Sequence, residues 1–201
     1  MKVKIYVEGG GDGKDLKTRC RKGFSSFFEK ANLAGRMPRV VACGGRDTAF
    51  DKFHTAFGAR KADEFIVLLV DSESPVADDA GPWQHLAGRD GWDTPHAATD
   101  EHAHLMVQCM EAWFLADRDG LAKYYGGDFN LNALPRRREI EKVAKDDLFD
   151  GLRNATRRCK KGEYGKGRHS FDILAETDPA KVFRASPHAR RMIDTLREKA
   201  T

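Results

Sequence analysis

The chain predicts an α/β fold: an open parallel sheet flanked by helices, with a C-terminal helical and basic extension. Strand-like and helix-like stretches alternate in the order βαβαβ. The third strand candidate, "EFIVLLVDSES", is an almost continuous apolar run, which suits a central parallel strand covered on both faces. The first two strand candidates both break at glycines.

In chain order, "KVKIYVEG" places Val3, Ile5 and Val7 on one face of a first strand. From Asp15 to about Asn32 the spacing of Leu16, Cys20, Phe24, Phe27 and Phe28 predicts a helix with one apolar stripe. "PRVVACGG" reads as a second strand, and Phe50, Phe53 and Phe57 restore helical periodicity after it. Residues 74 to 100, rich in Pro, Gly, Asp and Trp, are predicted to be a long loop over the sheet edge. "HAHLMVQCM" reads as a further strand and "EAWFLADRDGLAKYY" as the start of a helix. A helical segment is expected around 136 to 158, and a last helix from Pro187 to Lys199, with proline well suited to a first turn. The expected organisation is a core over 1–120 and a helical basic extension over 121–201, forming one structural unit.

The 201 residues, 40% hydrophobic and 33% charged, fit a water-soluble globular protein, and a net charge of +4 by itself predicts no partner. Four separated cysteines form no CxxC pair, which argues against a zinc ribbon or a redox dithiol. With no leader-like or membrane-spanning apolar run, the expectation is a cytoplasmic protein with reduced thiols and no membrane partner.

"VEGGGDGKD" invites comparison with phosphate loops and fails it. A Walker loop would need glycine where Glu8 stands and Ser or Thr where Asp15 stands, and the dinucleotide fingerprint is broken by Lys14. A carboxylate facing a phosphate makes sense if a divalent cation lies between them. Asp71 and Glu73 stand two residues apart at the end of the third strand, so both point the same way if the strand persists. First and third strands of a parallel sheet open onto one edge, so Glu8, Asp71 and Glu73 can converge on a metal. Singly, Glu8 or Asp71 reads better as a turn or cap residue; together, at matching strand ends, they favour a site. Asp12 remains a turn residue, and Glu111 fits a helix N-terminal charge as well as a ligand.

A first strand ending in V-E-G and a later strand ending in D-x-[DE] resemble the Toprim domain of topoisomerases, bacterial primases and OLD-type nucleases, over about the first 115 residues. Through "MEAWFLAD" and "GRHSFDILAETDP" the whole chain resembles the family called domain of unknown function 4276. The resemblance implies a Toprim-like (Rossmann-like) fold and a Mg2+- or Mn2+-dependent endonuclease. It implies Glu8, Asp71, Glu73 and Glu111 as catalytic residues, with Glu8, Asp71 and Glu73 as metal ligands. Glu73 stands where the Toprim motif has a second aspartate, which leaves metal number open. It further implies an effector of a bacterial antiphage system working with an ABC-type or AAA-type ATPase. A non-catalytic nucleic-acid-binding or assembly subunit is the alternative, a primase-like polymerase a third reading.

Between Pro135 and His169 twelve Lys or Arg face six Asp or Glu. "PRRREIEKVAKDD" mixes signs and reads as a solvated helix face, whereas "RRCKKGEYGKGRH" leaves its cations unneutralised. Arg158, Lys160, Lys161, Lys166, Arg168 and His169 are therefore the candidate contacts to DNA or RNA phosphates, and Lys166, Arg168 and His169 candidates for stabilising a transition state. His96, His102 and His104 read better as scattered histidines than as a metal cluster. Trp83 and Trp92 are candidates for base stacking, Trp113 a core residue. A homodimer is the default expectation for assembly.

Overall fold

The structure, a computed structural model, describes residues 1–200. Four strands, β1 (Lys2–Val7), β2 (Arg39–Ala42), β3 (Glu64–Asp71) and β4 (Ala103–Met106), form an all-parallel sheet in the order β2-β1-β3-β4. In register, Ile5 lies beside Val40 on one side and Val67 on the other.

The strand patterns follow from what covers each face. Val3, Ile5 and Val7 join Val67 and Leu69 on the face covered by α1 (Lys14–Phe28), through Phe24, Phe27 and Phe28. Ile66, Leu68 and Val70 point to the other face, under Phe53 and Phe57 of α2 (Arg46–Gly58) and under Trp83 and Leu86 of α3 (Pro82–Asp90). The apolar run of β3 is continuous because both faces of this inner strand are buried.

The remaining helices are α4 (Arg118–Tyr125), α5 (Lys145–Thr156), α6 (Ser170–Glu176), α7 (Pro179–Ala185) and α8 (Pro187–Lys199). Their apolar residues, with Trp113 stacked on Phe27 at 5.3 Å, continue the core on the α1 face. Asp178 and Ser186 cap α7 and α8 by accepting from Ala180 N and Ala189 N, each with proline at the next position. Arg191 of α8 donates to the carbonyls of Ala103 and Asp100 at 2.5 and 2.9 Å and so covers the open edge of β4. Among the described residues no helix is long and apolar enough to cross a membrane.

The predicted α/β architecture with its parallel sheet is the one observed; several boundaries differ. The predicted loop over 74–100 contains α3, whose flanking glycines and proline are end signals: Pro82 opens the helix and Gly91, at φ +69°, closes it. Helices α6 and α7 were not legible because seven residues each are too few to display a period. The helix expected around 136–158 starts only at Lys145; before it the chain lays Ile140 and Val143 into the core with a single tight turn over Ile140–Lys142. Likewise α1 ends at Phe28, followed by a wider turn in which Asn32 takes φ +63°. A tight turn over Met110–Ala116 precedes α4, where one helix was expected.

Candidate metal centre

Glu8 follows β1 and Asp71 ends β3, and because these strands are neighbours their carboxyl ends meet. Glu8 N donates to Leu69 O at 2.9 Å, and Glu8 Oε2 accepts from Asp71 N at 3.0 Å. Glu8 Oε2 also accepts from Arg46 Nη1 at 3.3 Å. Arg46 is the first residue of α2; it grips Asp90 through Nε and Nη2 at 2.9 and 2.5 Å, donates to the Asp71 carbonyl, and lies 4.9 Å from the centre of the Trp92 ring.

Glu73 reaches the same place by a different route from the one expected. The strand stops at Asp71, and Glu73 takes φ +65° while its N–H donates to Gln108 O at 3.1 Å. Left-handed backbone, not strand alternation, aims its side chain, which bonds Lys145 Nζ through Oε2 at 2.7 Å. One ligand atom from each of Glu8, Asp71 and Glu73 lies within 4.8 Å of the others.

Asp71 Oδ1 accepts from Met110 N at 2.8 Å, while Oδ2 has Lys166 Nζ at 3.6 Å. Glu111, fully buried in the turn after β4, accepts through Oε1 from Tyr164 OH and Ser170 Oγ, both at 3.1 Å. Its Oε2 is buried with no hydrogen-bond partner among the described residues. The same division recurs in Glu8, Asp71, Glu73 and Glu111: hydrogen-bond donors fasten one oxygen, and among the described residues the other accepts no hydrogen bond, although Lys166 stands 3.6 Å from that of Asp71. Of these second oxygens Glu111 Oε2 is the one fully buried; an unsatisfied buried oxygen is costly, and a nearby cation would relieve that cost. The donors are all hard oxygens, which suits a hard divalent cation.

The electrostatics agree. Burial, reinforced by the charges of Glu111 and Glu8, pushes the Asp71 carboxyl up to about 8. Burial also raises Glu8, against the opposing pull of Arg46 and the Asp71 N–H. For Glu73 burial pushes up too, but the Lys145 hydrogen bond and charge, with Arg89 and Arg46, outweigh it and leave the carboxyl below its usual range. For Lys166 burial pushes down, yet Glu111 and Asp71 hold the ammonium above its ordinary value.

A cavity of about 450 Å³ opens over these groups, walled by the glycine-rich turn Gly9–Gly11, by Gly44 and Gly45 at the start of α2, and by Lys166. Glycine is required there: a Cβ on Gly44 would stand 2.7 Å from Gly11 O, and Gly10, at φ +89°, has Lys17 Cα 2.9 Å from a Cβ position.

The basic candidates divide. Lys166 reaches the carboxylates, whereas Arg158, Lys160, Lys161 and Arg168 lie exposed outside the cavity wall. His169 is buried, with Gly165 N donating to Nδ1 at 3.1 Å and Nε2 bonded to Lys161 O at 3.2 Å, so its ring closes the 161–169 loop on itself instead of facing phosphate. Trp83 and Trp92 are buried as well. Trp83 donates to Thr99 O at 2.9 Å and Trp92 stacks on Phe50 at 4.3 Å, so neither offers a face to a base. His102 lies against the rings of Phe57 and Phe65, and His104 is fully buried and bonded to Glu101 O, apart from any shared cation position. Sequence reading missed Arg46, Lys145, Tyr164 and Ser170, whose partners lie 38 to 72 residues away. Only Arg46 carried a local signal, following two glycines at a helix start.

No curated protein and no solved structure matches the chain significantly. One family model does, from residue 7 to residue 197, a span that contains every carboxylate of the centre together with Arg46, Lys145 and Lys166. The chain therefore belongs to the family described as domain of unknown function 4276.

Proposed function

We propose that this protein is a divalent-metal-dependent nuclease with a Toprim-like catalytic core, hydrolysing phosphodiester bonds in DNA or RNA. The observation that carries the reading is the group of Glu8, Asp71 and Glu73 at the carboxyl edge of a parallel sheet, each with one oxygen fastened by the protein. Magnesium or manganese held there supplies Lewis-acid charge to a phosphoryl group and acidifies water. Arg46 keeps Glu8 oriented, and the raised affinity of Glu8 for a proton suits it to acid/base work. Lys166 brings positive charge to the cavity, where negative charge grows during phosphoryl transfer. A role as effector of a bacterial antiphage system beside an ABC-type or AAA-type ATPase follows from the family resemblance of "MEAWFLAD" and "GRHSFDILAETDP".

One observation favours a second reading. Arg46, Lys145 and Lys166 already stand at 3.3, 2.7 and 3.6 Å from Glu8, Glu73 and Asp71, an arrangement that also serves a non-catalytic nucleic-acid-binding or assembly subunit. Titrating Mn2+ into the protein by calorimetry, with a non-cleavable oligonucleotide present, separates the two. Binding that disappears in Asp71→Asn, joined by metal-dependent cutting of a DNA or RNA substrate once the partner ATPase is added, supports the nuclease. A folded wild type that takes up no Mn2+ supports the subunit.

A further inference from the structure

Between α1, α4 and α6 runs a second cavity of about 610 Å³, on the far side of Phe171 from the carboxylates; Phe171 lines both. Its cations are Arg19, Lys22, Lys123 and Lys161, and its acids Asp117, Asp172 and Glu176. The charges do not cancel. Asp117 is engaged by Lys181 at 2.6 Å, and Asp172 by Arg19 at 2.9 Å. Arg19 is itself spent on structure, since it also donates to the carbonyls of Gly167 and Arg168 and fastens the 161–169 loop to α1. Lys22 and Lys123 have no ion-pair partner among the described residues, and Lys161 rests only over the ring of Tyr124, 4.5 Å from its centre. Three uncommitted ammonium groups therefore face one uncommitted carboxylate, Glu176, beside a half-buried aromatic ring.

We propose that this groove binds single-stranded nucleic acid, with Lys22, Lys123 and Lys161 on successive phosphates and Tyr124 under a base. Lysines that track a backbone, interleaved with an aromatic platform, are how single strands are held without sequence preference. A duplex keeps its base faces stacked inside and cannot offer one to Tyr124. When a base takes the ring face, the Lys161 ammonium is released to the adjoining phosphate. Lys161 and Lys166 belong to one short loop, the first in the groove and the second 3.6 Å from Asp71, so one loop carries cations to both cavities. In purpose this rests on the nuclease reading, but its test needs no metal.

The experiment is fluorescence polarisation in EDTA with labelled oligothymidylate, oligouridylate, an abasic strand and a duplex, across a salt series. The two homopolymers distinguish DNA from RNA as the source of the strand. For the Lys22→Ala/Lys123→Ala variant the slope of log K against log salt becomes shallower by about 1.4, two phosphate contacts at about 0.7 each. Tyr124→Leu weakens strands bearing bases by about tenfold and leaves the abasic strand unchanged. An unchanged slope in the double lysine variant, or duplex binding as tight as single-strand binding, overturns the inference. A wild type that takes up Mn2+ but binds no single strand defeats this inference alone; groove binding without Mn2+ uptake defeats the nuclease reading alone. The lysines are exposed, so a matching thermal melt verifies that the variants are folded.

Discussion

Gly23, buried in the middle of α1, is where two effects of opposite sign meet. Alanine in a helix interior is favoured over glycine by about 0.5–1 kcal/mol, because glycine loses more backbone freedom on folding. At this position, however, a Cβ would lie 2.7 Å from the carbonyl oxygen of Phe171 and 3.2 Å from its Cα and Cβ. Two of these three atoms belong to the backbone of α6, so no rotamer change relieves the contact and the helices must separate. Overpacking of this kind costs about 1–3 kcal/mol, and the steric term wins for most of that range. Gly23→Ala is expected to be less stable by about 1–2 kcal/mol, a fall in Tm of roughly 2–8 °C for a chain of this size. Gly88→Ala in α3 is the control: nothing lies within 4 Å of its Cβ position, so the same substitution should raise Tm slightly. Thermal unfolding followed by circular dichroism reads both. Since α6 begins with Ser170, which holds Glu111, the displacement should also weaken Mn2+ uptake. A Gly23→Ala protein that melts at or above the wild type, in an assay where Gly88→Ala gains, would refute the claim that backbone contact sets the α1–α6 spacing.

Three further outcomes are expected. With its carboxyl raised to about 8 by burial and by the neighbouring Glu111 and Glu8, Asp71 holds a proton at pH 7, so Mn2+ binding should release a proton there, release less as the pH rises through 8, and tighten over the same range; calorimetry in buffers of different ionisation enthalpy measures this, and zero release at pH 7 counts against it. Arg46→Met leaves Glu8 without its ion-pair partner and Asp90 with Arg89 alone, and should cost about 1–3 kcal/mol of stability and tenfold or more in Mn2+ affinity, read by melts and titration; a neutral outcome would mean the clamp is idle. His104 is held well below its ordinary value, by burial first and by Arg191 next, so the unfolded chain takes up its proton before the native one does. Stability from this group is therefore complete above about pH 6.5 and falls as the pH drops below it. Urea midpoints should show a slope between pH 5 and 6.5 that is flatter in His104→Gln, and equal slopes would dismiss the assignment.

Local pattern was enough to specify the parallel sheet and the helices α1, α2 and α8: alternation in β1, the unbroken apolar run of β3 and the proline-led α8 each record which faces are covered, and burial periodicity is written in adjacent residues. It also located Glu8 and Asp71, because parallel neighbours open on one edge whatever the details of packing. The rest depended on contacts between distant parts of the chain. Glu73 arrives through a left-handed turn that no spacing announces, the Glu111 carboxylate is held by hydroxyls 53 and 59 residues away, and Arg46 reaches Glu8 only because α2 packs beside β1. His169, Trp83 and Trp92 looked from their chemistry like groups that face a ligand, and the core claimed all three. Residue type and spacing report what a side chain can do; which oxygen is fastened and which is left bare is decided by donors the chain brings from elsewhere, and only the assembled tertiary structure contains that information.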